Sequence, residues 1–232
     1  MQKYAMLREQ LQLQLPGIDF RQALAANDDE LVQVHTQGYI DAVTHGQLSS
    51  AQQREIGFPW SLQMAERARH SVGATLQAAR TALDGGHVAA NLAGGTHHSY
   101  ADKGGGFCVF NDVAVAARCL QLEWSGHKIG QVHRQLQVAI VDLDVHQGDG
   151  TAHIFRDDPS VFTLSLHGAK NFPVRKQNSD CDIELPDGCK DADYLEALHT
   201  GLGQISQRFE PDMIFYLAGA DPHEGDLSLI HI

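Results

Sequence analysis

The chain has 232 residues, 43% hydrophobic and 20% charged, a composition that fits one globular domain. Seventeen Lys and Arg against 29 Asp and Glu leave a net charge of −12 with no block of like charge, which argues against a nucleic-acid or anionic-membrane binder. No apolar run reaches the roughly 18–20 residues of a membrane span, and Met1-Gln2-Lys3-Tyr4 lacks the apolar core of a signal peptide. Cys108, Cys119, Cys181 and Cys189 form no Cys-x-x-Cys pair, so neither a zinc ribbon nor a disulfide framework is expected. A cytoplasmic enzyme is the expectation, and the 14 histidines are the compositional anomaly.

The first 85 residues read as helical. Leu7, Leu11 and Leu15 recur four apart over residues 4–15 and stop at Pro16-Gly17. Residues 30–43 repeat apolar side chains at helical spacing and end near Gly46, and Ser61 is an N-cap for a long helix through Leu83 that stops at Gly85-Gly86. From residue 86 to 226 short apolar runs alternate with helices. Strands are expected at 88–92, 138–141, 161–166 and 213–217, and helices at 111–122, 151–155 and 193–209. Strands apolar on both faces that alternate with helices predict an α/β domain, an open, mostly parallel sheet flanked by helices.

Each expected strand runs into polar residues. These are Gly94-Gly95-Thr96-His97-His98, Asp142-Leu143-Asp144-Val145-His146-Gln147-Gly148-Asp149-Gly150, Ser165-Leu166-His167-Gly168 and Ala218-Gly219-Ala220-Asp221. Parallel sheets bind ligands beyond the carboxyl ends of their strands, so four strand ends aim His, Asp and Gly at one rim. The two-residue period of a strand puts Asp142, Asp144 and His146 on one face. Asp144 and His146 form a compact metal grip, and Asp221 is the third ligand expected from another strand end. Two carboxylates and one imidazole leave coordination positions open, as in a catalytic site, and suit Zn²⁺, with Fe²⁺ or Mn²⁺ as alternatives. The plainer reading, in which Asp142 and Asp144 cap a turn and His146 is a core histidine, does not explain the agreement of the other strand ends. His97-His98 supply a general base, and Asp142 and Asp149 are spare carboxylates able to fix imidazole tautomers.

Those segments, with Gly104-Gly105-Gly106-Phe107-Cys108-Val109-Phe110-Asn111-Asp112 and Gly219-Ala220-Asp221, resemble the zinc-dependent histone deacetylase superfamily, with the closest likeness to its bacterial and class-IV-like members. The resemblance implies an arginase/deacetylase-like fold and hydrolysis of N-acetyl amides, on acetyl-lysine or an acetylated small amine, to a free amine and acetate. It implies that Asp144, His146 and Asp221 bind zinc, that His98 backed by Asp149 is the general base, and that His97 backed by Asp142 is its electrostatic partner. It further implies a substrate-binding wall of Gly106, Phe107 and Phe172, and a structural K⁺ held by Asp142, Asp144, His146, Ser165 and Leu166. His167, His223 and Glu224 lie near the rim without a role. His35, His45, His70, His127, His133 and His199 are expected on the surface or in packing.

The chain departs from the family pattern in one respect. The family places a catalytic tyrosine in a Gly-rich loop after the last zinc-binding Asp, whereas Tyr4, Tyr39, Tyr100, Tyr194 and Tyr216 all precede Asp221. Tyr100, two residues from His98, is in the wrong loop for that role. Losing an oxyanion donor costs about 10²–10³ in kcat. The expectation is therefore a single catalytic domain, incomplete at its C-terminus and slightly at its N-terminus. It would comprise a helical part over residues 1–85, an α/β core with the metal site over 86–226 and an atypical tail over 227–232, with an open sheet edge prone to aggregation. Two rivals stand beside it. A catalytically silent module that binds acetylated ligands is motivated by the missing tyrosine. A binuclear Mn²⁺ ureohydrolase needs Asp-x-His-x-Asp, and here Asp149 falls three residues after His146.

Overall fold

The computed structural model describes residues 2–85, 88–125, 128–129, 132–223 and 225. Five helices come first: α1 (Gln2–Gln14), α2 (Asp28–Leu31), α3 (Gln37–His45), α4 (Ser50–Ile56) and α5 (Leu62–Gly85). Then follow α6 (Asp112–Glu123), the short strands β1 (Lys128–Ile129) and β2 (Val132–His133), β3 (Val138–Asp142), α7 (Asp149–Phe155), β4 (Val161–Gly168), β5 (Cys181–Leu185), α8 (Asp191–Arg208) and β6 (Met213–Leu217).

Local chemistry accounts for most boundaries. Ser61 Oγ accepts the Met64 N–H at 3.1 Å and starts α5, while Gly46, at φ 71°, ends α3. The helix expected over 30–43 is two helices. Thr36 breaks it by adopting extended backbone and capping α3 through its hydroxyl, because a polar N-cap competes with the interior bonds of a continuous helix. A capping box at Ser49 and Gln52 starts α4, which the apolar periodicity does not signal.

The sheet runs β5-β4-β3-β6, all parallel, with Asp142 opposite Ser165 on one side and Leu217 on the other. Alternate residues of β3 feed two cores. Val138 and Ile140 join the helical layer of α2–α6, and Ala139 and Val141 join Phe162, Leu164 and Ile205 under α8. An α/β architecture with an open parallel sheet between helices is therefore present. Residues 88–92, expected as a strand, are not one: they find no ladder partner among the described residues, and Val88 is 99% exposed. A strand exists only through its neighbours, so an apolar run alone does not make one. β5 escaped the sequence reading although Cys181-Asp182-Ile183-Glu184-Leu185 alternates cleanly, as suits an edge strand with one covered face.

Candidate active site

The rim at the carboxyl ends of β3 and β6 gathers the chemistry. β3 ends at Asp142, and residues 144–146 bend rather than continue the strand. Side-chain to backbone bonds hold that bend. Asp142 Oδ1 accepts the Asp144 N–H at 3.1 Å, Asp144 Oδ1 accepts the His146 N–H at 2.8 Å, and Asp221 Oδ1 accepts the Val145 N–H at 3.1 Å. Asp144 and His146 thus reach the same side, as the two-residue period predicts, though by a turn and not by an extended strand. His146 Nδ1 lies 2.9 Å from Asp144 Oδ1 and 3.2 Å from Asp221 Oδ2. The ligand atoms of the three residues fall within 4.8 Å of one another.

Both carboxylates push the His146 imidazole pKa up to about 9, the Asp144 bond contributing most. Burial pushes the Asp144 carboxyl up, but the bond to His146 and the charge on His97 outweigh it and hold the group below its ordinary range. A nitrogen aimed at two carboxylates, with no Lys or Arg among the described residues pairing either acid, is a donor set that fits a divalent cation of the zinc type.

The histidine pair arrives on a loop and not from a strand end, which corrects the four-strand reading of the rim. Its anchor is Asp112, fully buried in the first turn of α6, which accepts from Thr96 N (2.8 Å), Thr96 Oγ1 (2.7 Å), Gly95 N (3.1 Å) and Thr75 Oγ1 (2.5 Å). Beyond that clasp His97 Nδ1 meets Asp142 Oδ2 at 2.5 Å, and His98 Nδ1 meets Asp149 Oδ1 at 2.7 Å. A carboxylate only accepts, so both Nδ1 atoms carry protons and the two Nε2 atoms, 3.1 Å apart, face each other. One of that facing pair must also be protonated. Burial disfavours charge on His97, yet the Asp142 charge and bond raise it to about 9; burial and the adjacent His97 lower His98. His97 is thus the ring that favours the charged form and His98 the one that favours the neutral form.

Aromatic side chains stand over this floor. Phe172 meets the His98 ring edge-on at 4.8 Å. Phe107, 69% exposed, stacks on Phe58 at 6.2 Å and is held by its N–H to the Ile56 carbonyl at 2.8 Å, so α4 sets the aromatic wall. Gly106 has φ 50°, and a Cβ there would lie 2.5 Å from His98 Cδ2 and 3.1 Å from Phe172 Cε1, so only glycine lets the backbone pass this close to the imidazole. Ser165 and Leu166 sit on β4 beside Asp142, with Ser165 Oγ at 2.9 Å from His167 Nδ1.

Of the histidines assigned no chemistry, His45, His70 and His199 are exposed and His35 is buried; His127 and the His133 side chain lie outside the described residues, as do Glu224 and residues 227–232. Sequence reasoning missed Asp112's clasp and Tyr100, whose hydroxyl donates to Asp149 Oδ2 at 2.9 Å. The Asn111-Asp112 pair at a helix start was a visible signal for the first, while nothing local announces the second.

The rim of the parallel sheet thus brings the Asp144, His146 and Asp221 side chains together beside two His–Asp pairs. The histone deacetylase domain matches residues 1–230, and the chain belongs to that family. It is 46% identical over 193 residues to an uncharacterised protein of Picosynechococcus sp., covering 83% of this chain and 61% of that protein. It is 35% identical to the acetoin utilization protein AcuC of Bacillus subtilis, covering 87% of this chain and 55% of AcuC. Among solved structures, an HDAC homolog from Aquifex aeolicus superposes with a TM-score of 0.77 at 28% identity, covering 94% of this chain and 62% of that one. An HDAC homolog complexed with SAHA gives 0.78, also at 28% identity, covering 96% and 63%. The chain thus spans about 55–61% of the length of these curated relatives.

Proposed function

We propose that the chain forms a single metal-dependent deacetylase domain that hydrolyses the N-acetyl amide of acetyl-lysine or an acetylated small amine. The observation that carries this reading is the abutment of two buried His–Asp dyads, with facing Nε2 atoms, on the Asp144–His146–Asp221 cluster. Asp144, His146 and Asp221 would hold Zn²⁺ or Fe²⁺, which when bound supplies Lewis-acid polarisation of the amide carbonyl and makes water more acidic.

The chain's own residues would do the rest. His98, neutral and held by Asp149, accepts the proton of the attacking water at Nε2 and later passes it to the leaving amine. His97, charged and held by Asp142, would turn its Nε2–H from His98 Nε2 to the carbonyl oxygen as negative charge develops, which frees the His98 lone pair for the water proton. Phe107 and Phe172 flank an alkyl stem and exclude water from it, and Gly106 leaves room beside His98. A structural K⁺ on Asp142, Asp144, His146, Ser165 and Leu166, and a cytoplasmic setting, belong to the same reading. That a structural neighbour, an HDAC homolog, is complexed with SAHA supports a ligand-binding role for this fold.

A silent acetyl-binding module is the second reading. The hydroxyls of Tyr39 and Tyr100 are committed to the Val109 carbonyl and to Asp149, so neither reaches the metal cluster as an oxyanion donor. Steady-state hydrolysis of an acetyl-lysine peptide and an acetylpolyamine by the Zn²⁺-loaded chain, with hydroxamate binding measured alongside, separates the two. The deacetylase reading expects turnover that falls about 10²–10⁴-fold in His98→Ala. Tight hydroxamate binding with no turnover in the parent chain would establish the module instead.

A further inference from the structure

We propose that Tyr100 is a positioning residue, whose hydroxyl locks the Asp149 carboxylate and through it the orientation of His98. The inference rests on the reading of His98 as the general base. Its ground is an asymmetry between the two dyads. Each acid gives one carboxylate oxygen to its histidine and has the other left to anchor. In the His97 dyad that second oxygen, Asp142 Oδ1, accepts a backbone N–H, from Asp144 at 3.1 Å. In the His98 dyad the second oxygen, Asp149 Oδ2, accepts the Tyr100 hydroxyl at 2.9 Å. One acid is therefore fixed by main chain, and the other by a side chain that a substitution can remove.

The terminal torsion of an aspartate is broad and roughly two-fold, so one hydrogen bond does not hold a carboxylate plane against rotation, whereas bonds on both oxygens do. A buried imidazole that depends on that plane for its tautomer and tilt inherits the constraint. Tyr100 is itself held in place. Its N–H donates to the Lys103 carbonyl at 2.8 Å, and its ring packs against His153, one turn beyond Asp149 on α7, with centroids 5.0 Å apart. The Lys103 ammonium sits 5.1 Å from the ring centroid. Burial, and secondarily the Asp149 charge, push the phenol pKa up, so the hydroxyl keeps the proton it donates.

Tyr100→Phe deletes the hydroxyl and keeps the ring, its packing on His153 and its contact with Lys103. The direct measurement is the solvent exchange of the two imidazole Nδ1–H protons by ¹H–¹⁵N NMR on the Zn²⁺-loaded chain, assigned by loss of each signal in His97→Ala and His98→Ala. In Tyr100→Phe the His98 proton is expected to exchange at least tenfold faster. The His97 proton, whose acid is held by backbone, should exchange at the parent rate. Kinetically, kcat is expected to fall about five- to twentyfold at unchanged KM. A purely structural role would instead lower thermal stability and leave the two protons responding alike. Tyr100→Leu, which removes ring and hydroxyl together, gives a second test of the same selective exchange.

Equal exchange of the His98 proton in parent and both variants overturns the proposal, whatever the activity. A selective exchange response in a parent chain without turnover supports the positioning role and overturns the deacetylase reading, so the two fail separately.

Discussion

His35 touches no proposed catalytic group, yet its ring decides how α6 begins. It is 1% exposed, and Nε2 accepts the Asn111 backbone N–H at 3.0 Å, which requires that nitrogen to be unprotonated. Burial lowers its pKa from 6.5 to about 4. The unfolded chain takes up a proton near 6.5 and the folded chain only near 4, so between those values the unfolded state binds more protons and stability falls as the pH falls. The gap corresponds to about 3 kcal/mol, lost progressively from neutral pH down to about 4. His35→Gln offers an amide oxygen in place of Nε2 and does not titrate. Urea melts should show this variant somewhat less stable than the parent at pH 7, with the difference shrinking or reversing by about 3 kcal/mol toward pH 4. A difference that stays constant with pH would remove His35 as the acid-sensitive residue.

At the scale of elements, the first turn of α6 holds the site together. Asn111 caps it by accepting the Ala114 N–H at 3.0 Å, while its amide donates to the Ser99 carbonyl at 3.1 Å and to Thr151 Oγ1 on α7 at 3.0 Å. Asp112 clasps the loop that carries His97 and His98. Replacing it by alanine strands a buried donor on Thr75 and half-buried donors on Gly95 and Thr96, each costing about 1–3 kcal/mol if water does not reach it. Asp112→Ala is therefore expected to lose about 3 kcal/mol or more in denaturant unfolding, and Asp112→Asn, which can still accept, clearly less. A loss below about 1 kcal/mol would show that the loop holds itself.

Legibility in the sequence follows the same division. Ser61, Gly46 and the runs of β3, β4 and β6 were readable because caps and apolar periods are local. The convergence of Asp144 and His146 was readable because their spacing is two residues, and that of Asp221 because it follows shortly after the end of β6. Residues 88–92 were misread because pairing is a property of neighbours, and the Asp112 clasp and Tyr100 contact span 16–49 residues of sequence that only folding closes.

For the whole molecule, the proposed cation would sit where two adjacent parallel strands end. Asp142 pairs with Leu217 at the ends of β3 and β6, the Leu143 N–H donates to the Leu217 carbonyl at 3.1 Å, and Asp144 and Asp221 follow on either side. Without a cation the two carboxylates are held by the His146 proton, which they raise to about 9. A bound divalent cation must displace that proton, so its affinity should increase with pH up to about 9, with proton release on binding. Because the unfolded chain scatters these ligands over 77 residues of sequence, binding stabilises the folded state alone. At a hundredfold excess over Kd the gain is about 2.7 kcal/mol, which for a chain of this size raises Tm by roughly 5–10 °C. Calorimetry or scanning fluorimetry of the EDTA-treated chain on addition of Zn²⁺ should show that rise, and renewed chelation should reverse it. Asp221→Ala should abolish the response by removing a ligand, and Asp149→Ala should retain it, because that acid bonds His98 and Tyr100 and is not one of the three cluster residues. An unchanged Tm up to millimolar Zn²⁺, or an equal response in Asp221→Ala, would mean that the three side chains converge for a reason other than a metal.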